Sequence, residues 1–235
     1  MGPIIHEAPE PPRLGTHNGM AYALFTPRED PKAGVVILHG AGSAKENHFD
    51  YGRAARDHGF AALAFDARGH GRSEGKFGPT AIEDAVTMCE LLGEEAPAVA
   101  LRGSSLGGFV AIHAGAGWGQ AVAVVALCPA PEDLLLRSLR SGQMVRFEFD
   151  QEAIEPWLEA LDLYEAVGRL GPKTALLLMH AEGDEQIPYT VSEELHAQAL
   201  DPKRLLVLPG GHHRSLQHDG EMQGESLRFI ARAVG

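Results

Sequence analysis

The apolar residues of this chain fall into short continuous blocks separated by longer amphipathic stretches. Val35-Val36-Ile37-Leu38 is one such block, and it ends at His39-Gly40. Phe60 to Phe65, Ala98 to Leu101, Ala121 to Leu127, Thr174 to Met179 and Arg204 to Leu208 repeat the pattern. Runs this short, bounded by Gly, Pro or Asp, are expected to be strands covered on both faces. Arg13 to Pro27 has a different rhythm. There Asn18-Gly19 is a hairpin turn signal, and Ala21-Tyr22-Ala23-Leu24-Phe25 reads as the returning strand.

Helical periodicity fills the gaps. Ser43-Ala44-Lys45-Glu46 has the capping-box pattern and should open a helix toward His58-Gly59. Thr80-Ala81-Ile82-Glu83 and Thr190-Val191-Ser192-Glu193 have the same pattern, the former opening a helix that stops near Gly93. A last helix is expected from about Glu221 to Ala233. Strand and helix in alternation predict a largely parallel sheet with helices on both faces, an α/β architecture. Pro129 to Lys173 is longer than one connecting helix needs. Leu134 to Leu139 and Trp157 to Val167 look helical there, with Arg146-Phe147-Glu148-Phe149 between them. Residues 129 to 157 are expected to form a small lid within one domain spanning 1–235, because long insertions in compact domains are often functional.

Composition narrows the function. Lys and Arg total 20 against 32 Asp and Glu, a net charge of −12, with no basic run. Nucleic-acid and anionic-membrane partners are therefore not expected. The chain is 44% hydrophobic over 235 residues, enough for a sizeable core, with no apolar run of membrane-spanning length. Cys89 and Cys128 form no CxxC pair, and the N-terminus shows no basic region followed by an apolar core, so a cytoplasmic location is expected.

The chemistry concentrates where the apolar runs end. Gly103-Ser104-Ser105-Leu106-Gly107 fits G-x-S-x-G, follows a predicted strand and leads into a helical pattern, Leu106 to Ala116. The position at the apex is Ser105, and Ser104 occupies the free position. A serine there projects its hydroxyl at a helix N-terminus, where the dipole favours negative charge. Further motifs accompany it in order: His39-Gly40-Ala41-Gly42, Asp66-Ala67-Arg68-Gly69-His70-Gly71-Arg72-Ser73, Gly183-Asp184-Glu185-Gln186-Ile187-Pro188 and Gly210-Gly211-His212-His213.

With these motifs the chain, from about Met20 to Ala233, resembles the α/β-hydrolase family, in particular its esterase- and lipase-like serine hydrolases. The resemblance implies an α/β-hydrolase fold with a nucleophile–acid–histidine order. It assigns the nucleophile to Ser105 and favours Asp184 over Glu182 as the acid. It places the base at His213, with His212 as the alternative and His218 as a more remote candidate. Backbone N–H groups of Ala41 and Leu106 would form the oxyanion hole. The implied reaction is hydrolysis of a small or medium carboxylic ester without a cofactor. A thioester, lactone, peptide or C–C bond, or a non-catalytic binding role, remains open because one fold hosts many chemistries. His212, His213 and His218 match no HExxH pattern and lack a cysteine pair, so no metal is expected. Arg137, Arg140 and Arg146 either recognise an anionic substrate or lie on a solvated lid surface, and the sequence leaves a homo-oligomer open.

Overall fold

The structure is a computed structural model and describes residues 10–142 and 147–235. Among these residues, eight strands form one sheet: β1 Arg13–His17, β2 Met20–Phe25, β3 Gly34–Leu38, β4 Ala61–Phe65, β5 Val99–Ser104, β6 Ala123–Leu127, β7 Ala175–Ala181 and β8 Lys203–Leu208. Their spatial order is β1-β2-β4-β3-β5-β6-β7-β8. Only β2 runs against its neighbours, pairing antiparallel with β1 and β4. Asn18 and Gly19 both have positive φ, 48° and 77°, as a type I′ hairpin turn demands.

The central strands bury both faces, as their unbroken apolar runs require. Val36 and Leu38 pack in one core cluster, while Val35 and Ile37 pack in the other. One face is covered by α2 (Ala81–Gly93), α3 (Leu106–Trp118), α6 (Leu163–Gly168) and α7 (Thr190–Gln198), and the other by α1 (Phe49–Asp57) and α8 (Gly220–Val234). Helix α3 is apolar nearly all round and every residue from Leu106 to Gly115 is buried, so packing rather than propensity holds it.

The three expected capping boxes do not form. Lys45–His48 is a 3₁₀ turn preceding α1, and Ser43 Oγ accepts from Asn47 Nδ2 at 3.0 Å instead of capping backbone. The reason is tertiary: Asp66 Oδ1 already accepts the Lys45 N–H at 2.7 Å. Thr80 Oγ1 donates to the Asp84 carboxylate at 3.1 Å, and α7 is capped by Tyr189 without a side-chain bond. Side-chain caps appear instead at Asp162 for α6 and Asp219 for α8.

Between β6 and β7 lie α4 (Glu132–Arg140), α5 (Ile154–Glu159) and α6. The helix expected over Trp157 to Val167 is thus two helices, because Asp162 accepts the Glu165 N–H at 2.9 Å and restarts the chain. Arg146 lies outside the described residues. Arg137 pairs with Asp133, and Arg140 with Glu155 and Glu159, all on an exposed surface. This is the solvated alternative for the two described arginines.

Candidate active site

Ser105 sits between β5 and α3 with φ 54° and ψ −119°, a conformation that costs an L-residue about 1–3 kcal/mol. Surrounding hydrogen bonds hold it there. Its N–H donates to Leu127 O at 2.9 Å, and its carbonyl accepts from Phe109 N at 3.0 Å and Ala130 N at 3.3 Å. The flanking glycines are there for close approach. A Cβ on residue 103 would run into the Gly107 carbonyl, and one on residue 107 into the Leu38 carbonyl.

Asp184 follows β7, and its side chain is wholly buried. Oδ1 accepts the N–H groups of Gln186 at 2.8 Å and Ile187 at 2.9 Å. Oδ2 accepts from His213 Nδ1 at 2.7 Å and lies 3.3 Å from His180 Nε2. Burial alone would raise this carboxyl, but the hydrogen bonds from His180, His213 and the two amides outweigh it and hold it far below the usual carboxylate range. An ionised Asp184 only accepts, so His213 Nδ1 carries the hydrogen and Nε2 is left with its lone pair.

The three candidate histidines separate cleanly by position. His213 bonds Asp184, and its own N–H is held by Glu185 Oε2 at 3.1 Å. His212 is exposed and accepts the Arg214 N–H at 3.2 Å. His218 bonds Asp50 Oδ2 at 2.8 Å. Glu182 is exposed, while its backbone N–H extends the β7–β8 pairing.

Ser105 opens onto two adjoining cavities. One, of about 300 Å³, is lined by Ala130, Leu134, Leu135, Phe147 and Ile187 beneath α4. The other, of about 390 Å³, is lined by Ser43, Asn47, Ser104, His213, Gln217 and His218. Ala41, Gly42, Gln186 and Arg214 border both. Among the described residues, Ser105 Oγ makes no hydrogen bond to His213, and the N–H groups of Ala41 and Leu106 have no hydrogen-bond partner.

Sequence reasoning passed over two buried residues here. His180 interrupts the apolar run of β7 four residues before Asp184, which is the signal it gave. Its Nε2–H faces Ile187 O at 3.0 Å as well as Asp184, and its Nδ1 accepts from Ser192 Oγ at 2.7 Å. Cys128 has φ 45° and lies behind the acid. Its sulfur, an Asp184 oxygen and a His213 ring nitrogen fall within 4.8 Å of one another, a set that could in principle hold a metal. Burial, reinforced by Asp184, pushes the thiol up. It is therefore a protonated donor, directed at the His213 carbonyl at 3.9 Å, rather than a thiolate ligand.

The loop before the serine turn is braced from below. The Asp66 carboxylate, wholly buried, holds Lys45 Nζ at 2.7 Å and the Arg72 N–H at 2.9 Å. His39 Nε2 accepts the Ala67 N–H at 3.0 Å, which leaves its other ring nitrogen to donate to Gly40 O at 2.9 Å.

Comparison with known proteins places this geometry. Residues 29–134 match the family model Hydrolase_4, described as serine aminopeptidase, S33. The uncharacterized protein Rv2307c of Mycobacterium tuberculosis is 30% identical over 209 residues, covering 83% of this chain and 68% of that protein. Among solved structures, Est1E from Butyrivibrio proteoclasticus with ferulic acid bound superposes with a TM-score of 0.70 at 20% identity, covering 94% of this chain and 96% of Est1E. A soluble variant of monoglyceride lipase from Saccharomyces cerevisiae, in complex with a substrate analog, gives a TM-score of 0.76 at 13% identity, covering 100% of this chain and 98% of that one. The sheet order, the serine turn and a relative aligned over most of both chains agree: this chain belongs to the α/β-hydrolase family.

Proposed function

We propose that the protein hydrolyses carboxylic esters of small or medium acyl groups through a serine acyl-enzyme. The observation that carries this reading is the Asp184–His213 pair opening, through one shared cavity, toward a serine held at positive φ. Ser105 Oγ attacks the ester carbonyl while His213 Nε2 takes its proton. Asp184 fixes the imidazole tautomer and stabilises the imidazolium. The oxyanion of the tetrahedral intermediate accepts from the Ala41 and Leu106 N–H groups, each such donor contributing about 3 kcal/mol. The intermediate then expels the alcohol, which receives the proton from His213. Water, deprotonated by the same nitrogen, releases the acid and restores Ser105.

His213 lines only one of the two cavities, so the leaving alcohol belongs on that polar side. The acyl group then lies beneath α4, against Leu134, Leu135, Phe147 and Ile187. In this reading residues 129–157 act as the lid. Peptide hydrolysis from a free amino terminus is less well supported, since an ammonium needs a carboxylate nearby. Among the described residues, those lining the two cavities include none.

The test is a panel of p-nitrophenyl esters from acetate to laurate, run beside a thioester, a lactone and an aminoacyl anilide. Turnover of the shorter esters, abolished by Ser105→Ala, is expected. Turnover of the anilide alone would replace the ester reading with a peptidase.

A further inference from the structure

The segment Gly40-Ala41-Gly42-Ser43 is a β-turn closed by Ser43 N–H donating to Gly40 O at 3.2 Å. Gly42 has φ 65°, and Ala41 is not among the positive-φ residues, which makes it a type II turn. A turn with alanine and glycine at its two central positions does not by itself fix the peptide plane between them. The Ala41–Gly42 plane can rotate through its two flanking torsions, exchanging the directions of the Ala41 C=O and the Gly42 N–H, while the preceding plane, which carries the Ala41 N–H, is held through Gly40 O by Ser43 N–H and His39 Nδ1.

Among the described residues, one side chain opposes that rotation. His70 Nε2 accepts the Gly42 N–H at 3.2 Å, and His70 Nδ1–H faces Arg68 O at 3.1 Å. The ring is buried and stacks on Phe147, with centroids 4.1 Å apart and an interplanar angle of 19°. Phe147 in turn lines the cavity beneath α4 together with Ala41, Gly42 and Ser105. Its strand-like segment is tied to the His70 loop by Glu148 N–H to Gly69 O at 3.0 Å and Phe77 N–H to Glu148 O at 2.9 Å.

We infer that His70 is a positioning residue: by holding the Gly42 N–H it locks the Ala41–Gly42 peptide and so preserves the type II turn whose preceding peptide offers the Ala41 N–H to the reacting carbonyl, and Phe147 seats the ring that does so. The inference rests on the reading of Ser105 as nucleophile and adds to it a residue outside the nucleophile, base and acid. Burial, with His39 nearby, pushes the His70 imidazole down to about 4. It is therefore neutral, and Nε2 an acceptor, throughout the neutral range. Phe147 also links the acyl site to the turn, so an acyl chain resting on Phe147 presses on the same stack.

Three variants test the assignment, with steady-state kinetics on a p-nitrophenyl ester. His70→Phe keeps a ring to stack and removes the acceptor. It should lower kcat about tenfold with KM within about twofold, as expected when a contact made only in the transition state is weakened. His70→Gln restores an acceptor at similar reach and should recover most of the loss. Phe147→Leu should lower kcat a few-fold in the same direction. Hydrogen exchange at the Gly42 amide gives a readout independent of turnover, and it should quicken in His70→Phe and Phe147→Leu. Equal impairment of the Phe and Gln variants, a loss confined to KM, or unchanged Gly42 exchange would overturn the assignment. Should His70→Phe not fold, the Gln and Leu variants decide it alone. If the wild type turns over no ester, the catalytic reading fails, and Gly42 exchange still reports on the His70 contact.

Discussion

Replacing Ser105 by alanine and by glycine should separate the hydroxyl from the backbone it sits on. Both variants lack the hydroxyl proposed as nucleophile, so both should be inactive, and neither loses a cap, since Ser105 makes no side-chain capping bond to α3. They differ in the backbone cost. Alanine must occupy φ 54°, ψ −119°, at about 1–3 kcal/mol, whereas glycine does so freely. Against this, glycine has about 0.4–1 kcal/mol more unfolded-state entropy to lose. Ser105 is half-buried, so losing one methyl's contact costs a few tenths of a kcal/mol more. The balance favours Ser105→Gly by roughly 1 kcal/mol, which in a domain of this size raises Tm by about 2–4 °C. Differential scanning fluorimetry of the two inactive proteins under one buffer reads that difference directly. A glycine variant melting at or below the alanine variant would show that the serine turn stores no strain, and the explanation for its rigid neighbours would fall with it.

Four more outcomes follow from the site. Asp184→Asn removes the acceptor that sets the His213 tautomer, and kcat should fall about 10³–10⁴-fold with KM little changed in steady-state assays. The folded Asp184 carboxyl lies below its unfolded value, so its stabilisation is present above the unfolded pKa of about 4 and is lost as pH falls through the folded one. The Tm gap between wild type and Asp184→Asn should therefore begin to narrow below about pH 4 and go on shrinking as the pH falls further. Lys45→Met strands a buried Asp66 carboxylate at a cost of about 3–5 kcal/mol, seen as a Tm loss of about 6–20 °C. That loss should be smaller at pH 5 than at pH 8, because the unpaired carboxyl, now raised by burial, takes up a proton on acidification. Gly103→Ala drives a Cβ into the Gly107 carbonyl and should yield little folded protein, measured as the soluble fraction on expression.

Much of this was legible in local sequence. Asn18-Gly19 dictated its turn because few other pairs accept two positive φ values. The apolar runs marked the strands because a parallel sheet leaves no face in water. The first capping box misled because Lys45 N–H had another acceptor, Asp66, 21 residues away, and the second because Thr80 Oγ1 turned to the Asp84 carboxylate. The break after Glu159 was hidden because Trp157 to Val167 keeps its apolar spacing straight through the Asp162 cap. His180 was passed over at the end of an apolar run, and the fold sets its ring against Asp184, 3.3 Å from Oδ2. The Gly210-Gly211-His212-His213 motif already pointed to His213, and the fold adds that its ring, and not that of His212 or His218, meets Asp184.

The central claim is a serine made nucleophilic by His213. Intact-protein mass spectrometry after reaction with a fluorophosphonate tests it most directly. One adduct per chain should form on Ser105, be absent in Ser105→Ala, and form at least about a hundredfold more slowly in His213→Ala. No adduct on the wild type, an adduct on Ser104 instead, or full-speed labelling without His213 would contradict the account.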